Sequence, residues 1–259
     1  MSFINYKIKG EGLPVIFLHG FCETSEIWDP FVAEISSNYQ SITLDLPGFG
    51  SSQLSKTDAS LADIATDLNN WVLDQGLDNP IVLGHSLGGY VSLAMVNQMP
   101  TLYSAFGLIH ATAKADSDEK RLSRTKVMTF VKKYGVKAFV DSFVLSLYYQ
   151  KDHPSIEFAH KIALKTNEST FLTYTAAMRD RPSRVDCITN FTNPILMVGG
   201  QNDPLIPIGS LEEQAALNGR ISIYMLPRVG HMGMFEAESE LVEIVNNFVF
   251  VVENGLMKQ

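Results

Sequence analysis

The chain is short of several things. It has only two cysteines, Cys22 and Cys187, in 259 residues. They lie far apart and without metal-ligand spacing, which excludes a disulfide framework and a cysteine zinc site and suits a reducing compartment, expected to be the cytoplasm. No apolar run approaches the length of a membrane span. The N-terminal stretch Met1 to Lys9 alternates apolar and polar residues. It lacks the cationic region and apolar run of a secretory signal. Basic charge is scarce as well: 20 Lys and Arg stand against 28 Asp and Glu, a net of −8. That balance argues against nucleic acid as the main partner. No internal repeat and no low-complexity tract interrupts the chain.

What is present is a large apolar fraction, 46% of the residues, enough to bury the core of one sizeable domain or of a domain with an insertion. Short apolar runs read as strands at Pro14–Leu18, Ser41–Leu46, Ile81–Leu83, Ala105–His110, Ile195–Val198 and Ile221–Leu226. Helical patterns separate them. One lies around Trp28 to Ile35, one runs from Leu87 to Met99 before Pro100, and one starts near Ser210. Leu61, Ile64, Ala65, Leu68 and Val72 recur at helical spacing, with Ser60 and Asp63 set as a capping box. Leu241, Ile244, Val245 and Phe248 share one face of a last helix. Such alternation predicts a mostly parallel sheet covered by helices on both sides.

Between the strands ending near His110 and starting near Ile195 the pattern is helical throughout. Val127, Phe130, Val131 and Tyr134 share a face, as do Val136, Phe139, Val140 and Phe143, and Phe171, Tyr174, Thr175 and Met178 share another. Residues 114–184 are therefore expected to form a helical lid inserted into a core made of 1–113 and 185–259. The lid holds 14 Lys and Arg against 8 Asp and Glu. These charges read as solvated helix faces, the alternative being a basic lid docked on an acidic core.

The stretch Gly84-His85-Ser86-Leu87-Gly88-Gly89 suits neither strand nor helix. If a strand turns sharply into a helix at Ser86, the residues two before and two after it must be small, and Gly84 and Gly88 meet that demand. The turn would lift the Ser86 hydroxyl above the carboxyl edge of the sheet, beside helix N–H groups suited to a developing negative charge. A serine needs a histidine base and an acid to orient it, and in this topology the chain order is serine, acid, histidine. Asp203, in Gly199-Gly200-Gln201-Asn202-Asp203-Pro204, and His231, in Val229-Gly230-His231-Met232-Gly233, each follow a predicted strand in that order. Asn-Asp-Pro is also a turn signal, so Asp203 has a second, structural reading.

These motifs, with His19-Gly20-Phe21 and Asp45-Leu46-Pro47-Gly48-Phe49-Gly50, resemble the α/β-hydrolase superfamily over nearly the whole chain. Within it they resemble the lid-bearing branch of esterases, lactonases and carbon–carbon hydrolases. The resemblance implies the α/β-hydrolase fold, here with about seven strands because the N-terminus is too short for the family's first strand. It implies Ser86 as nucleophile, His231 as base, Asp203 as its orienting acid, and backbone N–H groups of Phe21 and Leu87 as the oxyanion hole. It calls for no cofactor and no metal. Asp116, after the strand before the lid, is where some relatives keep their acid; Asp203 has the stronger local pattern. His19, His85 and His110 read as packing residues, Asp45 as the anchor of the loop containing Pro47, and Trp28 as a packed residue at a helix start. Because relatives that open epoxides or displace halide carry a carboxylate at the elbow, Ser86 favours acyl transfer to water. The expected reaction is hydrolysis of a small carboxylic ester or lactone through an acyl-enzyme. The alternatives are carbon–carbon cleavage beside a ketone with the same three residues, and a small-molecule sensor built on a hydrolase fold.

Overall fold

A computed structural model describes residues 3–35 and 37–256, so the first two residues of the alternating N-terminal stretch lie outside it. Seven strands form one sheet: β1 (Tyr6–Lys9), β2 (Pro14–Leu18), β3 (Gln40–Leu44), β4 (Ile81–His85), β5 (Ala105–Ile109), β6 (Ile195–Gly200) and β7 (Ile221–Leu226). Their order is β1-β3-β2-β4-β5-β6-β7. Only β1 runs antiparallel, pairing Tyr6 with Leu44. Its four residues are exposed, as befits a short strand at the edge.

Ten helices accompany the sheet among the described residues: α1 (Asp29–Glu34), α2 (Leu61–Asp74), α3 (Leu87–Gln98), α4 (Asp118–Leu147), α5 (Ile156–Ala163), α6 (Glu168–Asp180), α7 (Val185–Asn190), α8 (Ile208–Ala215), α9 (Gly233–Glu236) and α10 (Glu238–Glu253). Side chains alternate across a strand, so each strand feeds two cores. Ile16, Leu18 and Val82 pack with α2 and α3 on one face. Val15, Phe17, Ile81 and Leu83 pack with α1 and α10 on the other. The capping box of α2 forms as expected, Ser60 Oγ accepting from Asp63 N and Asp63 Oδ2 from Ser60 N.

Some boundaries differ from the sequence reading. The strand expected at Ser41–Leu46 ends at Leu44, because Asp45 N turns away to bond Asn5 O at 2.9 Å. A 3-10 turn, Ser25–Trp28, precedes α1 and ends in the fully buried Trp28 ring, which packs on Phe17 and Phe31. The segment from 114 to 184 is helical, yet α4 breaks at Gly135, whose φ of 81° only glycine adopts readily. Of the four residues expected on one face of α4, Val131 is buried, while Phe130 and Tyr134 are exposed. The helical period was right and the width of the apolar stripe was not. Cys22 and Cys187 are both buried free thiols. Among the described residues no helix is long and apolar enough to cross a membrane.

Candidate active site

The glycine-flanked serine lies where β4 turns into α3. Ser86 has φ 50° and ψ −112°, a conformation that costs a non-glycine residue about 1–3 kcal/mol and persists only where its surroundings enforce it. They do so through close packing. A side chain on Gly84 would overlap the backbone of Gly88 and Gly89, and one on Gly88 would run into the carbonyls of Leu18 and His19. Strand and helix thus approach as only glycine permits. Leu87 is the first residue of α3, so its N–H has no acceptor within the helix.

Asp203 and His231 meet from the loops after β6 and β7. The His231 Nδ1 to Asp203 Oδ2 distance is 2.7 Å and both side chains are buried. Asp203 Oδ1 accepts the N–H groups of Leu205 and Ile206, at 2.8 and 3.0 Å. The turn role and the histidine partnership that the sequence set against each other coexist, one on each carboxylate oxygen. Burial would raise the Asp203 carboxyl, but the neighbouring His231 and the hydrogen bonds from both histidine partners outweigh it and hold it well below the usual range. With Nδ1 facing a carboxylate, the His231 proton resides on Nδ1 and Nε2 is left as an acceptor. Nε2 is buried and has no hydrogen-bond partner among the described residues, so no bond to Ser86 is formed in this state.

The backbone of His231 is clamped at both ends. Its N–H donates to Leu147 O, the last residue of α4, at 2.7 Å, and its carbonyl accepts from His85 Nε2 at 2.9 Å. Since His85 immediately precedes Ser86, that bond ties the histidine loop to the elbow. The other His85 nitrogen, Nδ1, lies 3.1 Å from Glu23 Oε2. Both ring nitrogens therefore face acceptors, an arrangement that favours the protonated ring opposite Glu23. Burial alone would lower His85, yet the charge and hydrogen bond of Glu23 raise it; the same pairing lowers Glu23 in spite of burial. Glu23 Oε2 also accepts Gly20 N at 2.6 Å, fixing the loop that carries Phe21.

The sequence reading missed two of these residues. Glu23 was not singled out; an acid three residues after Gly20 in an otherwise apolar loop was the available signal. His110 was taken for packing, but its Nδ1 lies 3.0 Å from Asp203 Oδ2, so the acid has two histidine partners. Desolvation pushes His110 down to about 4, against the pull of Asp203. Only the adjacency of β5 and β6 discloses that contact. The group His110, Asp203 and His231 has the makeup of a metal site. Its separations of 2.7 and 3.0 Å are hydrogen-bond lengths, and Asp203 Oδ2 serves both histidines in that way.

The other expectations fare as follows. His19 packs, accepting Leu46 N at Nε2 and bonding Gly20 O through Nδ1. Asp45 anchors its loop, accepting Ser51 N and Ser25 N at 3.0 and 2.8 Å. Asp116 is not near His231 by any bond; it pairs with Arg181 at 2.7 Å and with Arg124. Burial drives the Cys22 thiol up, which leaves it unreactive. Ser86 and Phe21 line a cavity of about 260 Å³ whose other walls come largely from α4, α6 and the Leu205 loop. A larger groove, about 740 Å³, contains none of the expected site residues.

A strained serine between glycines, an aspartate–histidine pair at the next strand ends and a mostly parallel sheet define a class. Residues 15–244 match the Alpha/beta hydrolase family, and the chain belongs to it. It is 23% identical over 260 residues to a 2-(acetamidomethylene)succinate hydrolase of Mesorhizobium japonicum, covering 95% of this chain and 91% of that protein. Its fold is similar to that of a thermophilic esterase of Thermogutta terrifontis solved with malate bound, with a TM-score of 0.91, 25% identity and coverage of 97% and 94%. It is also similar in fold to an enol-lactonase of Burkholderia xenovorans, with a TM-score of 0.87, 17% identity and coverage of 96% and 97%.

Proposed function

We propose that the protein is a serine hydrolase that cleaves a small carboxylic ester or lactone through an acyl-enzyme. The observation that carries this is the 2.7 Å contact between His231 Nδ1 and Asp203 Oδ2, which leaves Nε2 unpartnered among the described residues, on a loop whose His231 carbonyl is bonded to His85, the residue before Ser86. In the reaction, Nε2 takes the Ser86 proton as Oγ attacks the acyl carbon, and the carbonyl oxygen becomes an oxyanion facing the N–H groups of Phe21 and Leu87. The tetrahedral species collapses, the C–O bond to the alcohol breaks, and Nε2–H protonates the leaving oxygen. Water then repeats the sequence on the acyl-enzyme, releasing the acid and restoring Ser86 and neutral His231. Asp203 keeps the proton of His231 on Nδ1 throughout.

Residues 114–184 act in this reading as the lid. The bond from His231 N to Leu147 O and the aromatic contact of Phe21 with Phe171, at 4.8 Å between centroids, support a lid that touches both the base and the oxyanion loop. The relatives' own substrates differ from one another, so no acyl group is carried over from them. The test is hydrolysis of short activated esters beside lactones, by the wild type and by Ser86→Ala. The wild type is expected to turn over at least one class and Ser86→Ala to lose nearly all of that activity. Undiminished turnover by Ser86→Ala would remove the serine from the mechanism, and ligand-dependent capture of a partner without turnover would favour the sensor.

A further inference from the structure

The cavity beside Ser86 has an uneven wall. Much of it is apolar, with Phe139, Phe143, Met178 and Ile206 among its residues, yet Lys120 and Arg124 also line it. They stand four apart on α4 and so share a face, where two like charges repel. One carboxylate serves this corner. Asp116 gives Oδ2 to Arg124 Nε and Oδ1 to Arg181 Nη1, the latter at 2.7 Å. Asp180, the last residue of α6, is already engaged by Arg121 and Arg179. Three positive charges, on Lys120, Arg124 and Arg181, therefore share the one carboxylate bonded in this corner, Asp116, while Asp203, committed to its histidines, acts on Lys120 only by its field.

The remaining donors point at weak partners. The Lys120 ammonium bonds the carbonyl of Leu205 at 2.9 Å, a contact that leaves its charge uncancelled. Arg124 Nη1 reaches Met178 Sδ at 3.5 Å, and a thioether is a poor acceptor. Partial desolvation lowers Lys120, and the nearby Arg124 and Arg181 lower it further against the pull of Asp116 and Asp203. An apolar pocket gains nothing from such a surplus, whereas an anion entering it would form charge-assisted hydrogen bonds with the half-buried Arg124 and with Lys120 at its rim.

We propose that Lys120 and Arg124 form a carboxylate subsite, and that the substrate is a short ester or lactone bearing a carboxylate on the portion distant from the reacting carbonyl. The cavity volume, about 260 Å³, falls below the roughly 300–1,000 Å³ of sites for drug-sized ligands and so suits a short chain. Arg124 supplies a planar donor and Lys120 a point charge at the exposed rim. The claim rests on the ester-hydrolase reading of Ser86 for its chemistry, but not for its binding.

Two measurements separate the claims. The first compares kcat/KM for monomethyl succinate and for its uncharged counterpart methyl 4-oxopentanoate. The wild type is expected to favour the anion by at least about tenfold, and Lys120→Gln to collapse that ratio, since a site built for a polar group discriminates against the analogue lacking it. Arg124→Gln should do the same, and because Arg124 also holds Asp116, Lys120→Gln keeps the test decisive if that variant fails to fold. The second is calorimetric binding of succinate to Ser86→Ala, expected to weaken by about tenfold or more when Lys120→Gln is added. Succinate binding that depends on Lys120, without turnover of either ester or of the activated esters and lactones, would sink the hydrolase reading and leave the subsite standing. A preference for the uncharged ester, or a ratio and a succinate affinity indifferent to Lys120→Gln, would overturn the subsite.

Discussion

At the scale of single residues, Asp203 bears the most. Its Oδ1 holds the Leu205 turn and its Oδ2 serves His231 and His110. Asp203→Asn keeps an oxygen for the turn but loses the carboxylate that fixes the histidine tautomer. Turnover is expected to fall by about 10³–10⁴ with the fold retained, as circular dichroism would register. Loss of folding without a separable catalytic effect would contradict this assignment. Asp116→Asn is expected to do something different: it leaves two guanidiniums without their counter-charge and costs about 3 kcal/mol of stability, measured by denaturant unfolding. From the sequence, Asp116 offered only a position where some relatives keep their acid, and its arginine partners were not visible. The turn at Ser86 and the meeting of Asp203 with His231 were legible because each residue sits in a local motif after a strand and their chain order follows the topology. His110 and Glu23 were not, because their partners lie 93 and 62 residues away and only the strand order brings them together.

At the scale of elements, the β4–α3 turn is a junction that leaves no room for a side chain. Gly84→Ala would drive a methyl group into the Gly88 backbone, so it is expected to cost about 2 kcal/mol or more in denaturant unfolding and to abolish ester turnover; near-native stability would mean that the junction has slack. The α6 helix docks on the loop after β3 through Tyr174 OH to Pro47 O and Thr170 Oγ1 to Gly48 O, both 2.8 Å, and through the Phe49–Tyr174 ring contact. Its residues Phe171 and Tyr174 were assigned to one apolar face from their spacing, and both are buried. The corresponding inference for α4 was too broad, since Phe130 and Tyr134 are exposed and touch each other at the surface with their rings tilted. Periodicity tells which residues share a stripe, but not how much of the stripe a neighbour covers. The antiparallel β1 was equally hidden, because an alternating pattern carries no direction.

At the scale of the whole molecule, pH acts through buried histidines. His110 titrates near 4 when folded and near 6.5 when unfolded, so between those values the unfolded chain takes up a proton that the folded chain refuses. Its contribution therefore lowers stability as pH falls through that window, by up to about 1.4 kcal/mol per pH unit. His85 has the opposite sign: its raised value means a contribution present at low pH and lost as pH rises through its folded value. His110→Asn, which keeps a donor toward Asp203, is expected to flatten the decline in melting temperature between pH 6.5 and 4.5; an unchanged slope would place the titration elsewhere. The account's central claim, that Ser86 is a nucleophile activated by the Asp203–His231 pair, is tested most directly by the intact mass of the chain after exposure to a fluorophosphonate, followed by peptide mapping. The expected result is one adduct per chain, on Ser86, formed far more slowly in His231→Ala. Labelling at another residue, or labelling of His231→Ala at the wild-type rate, would contradict it.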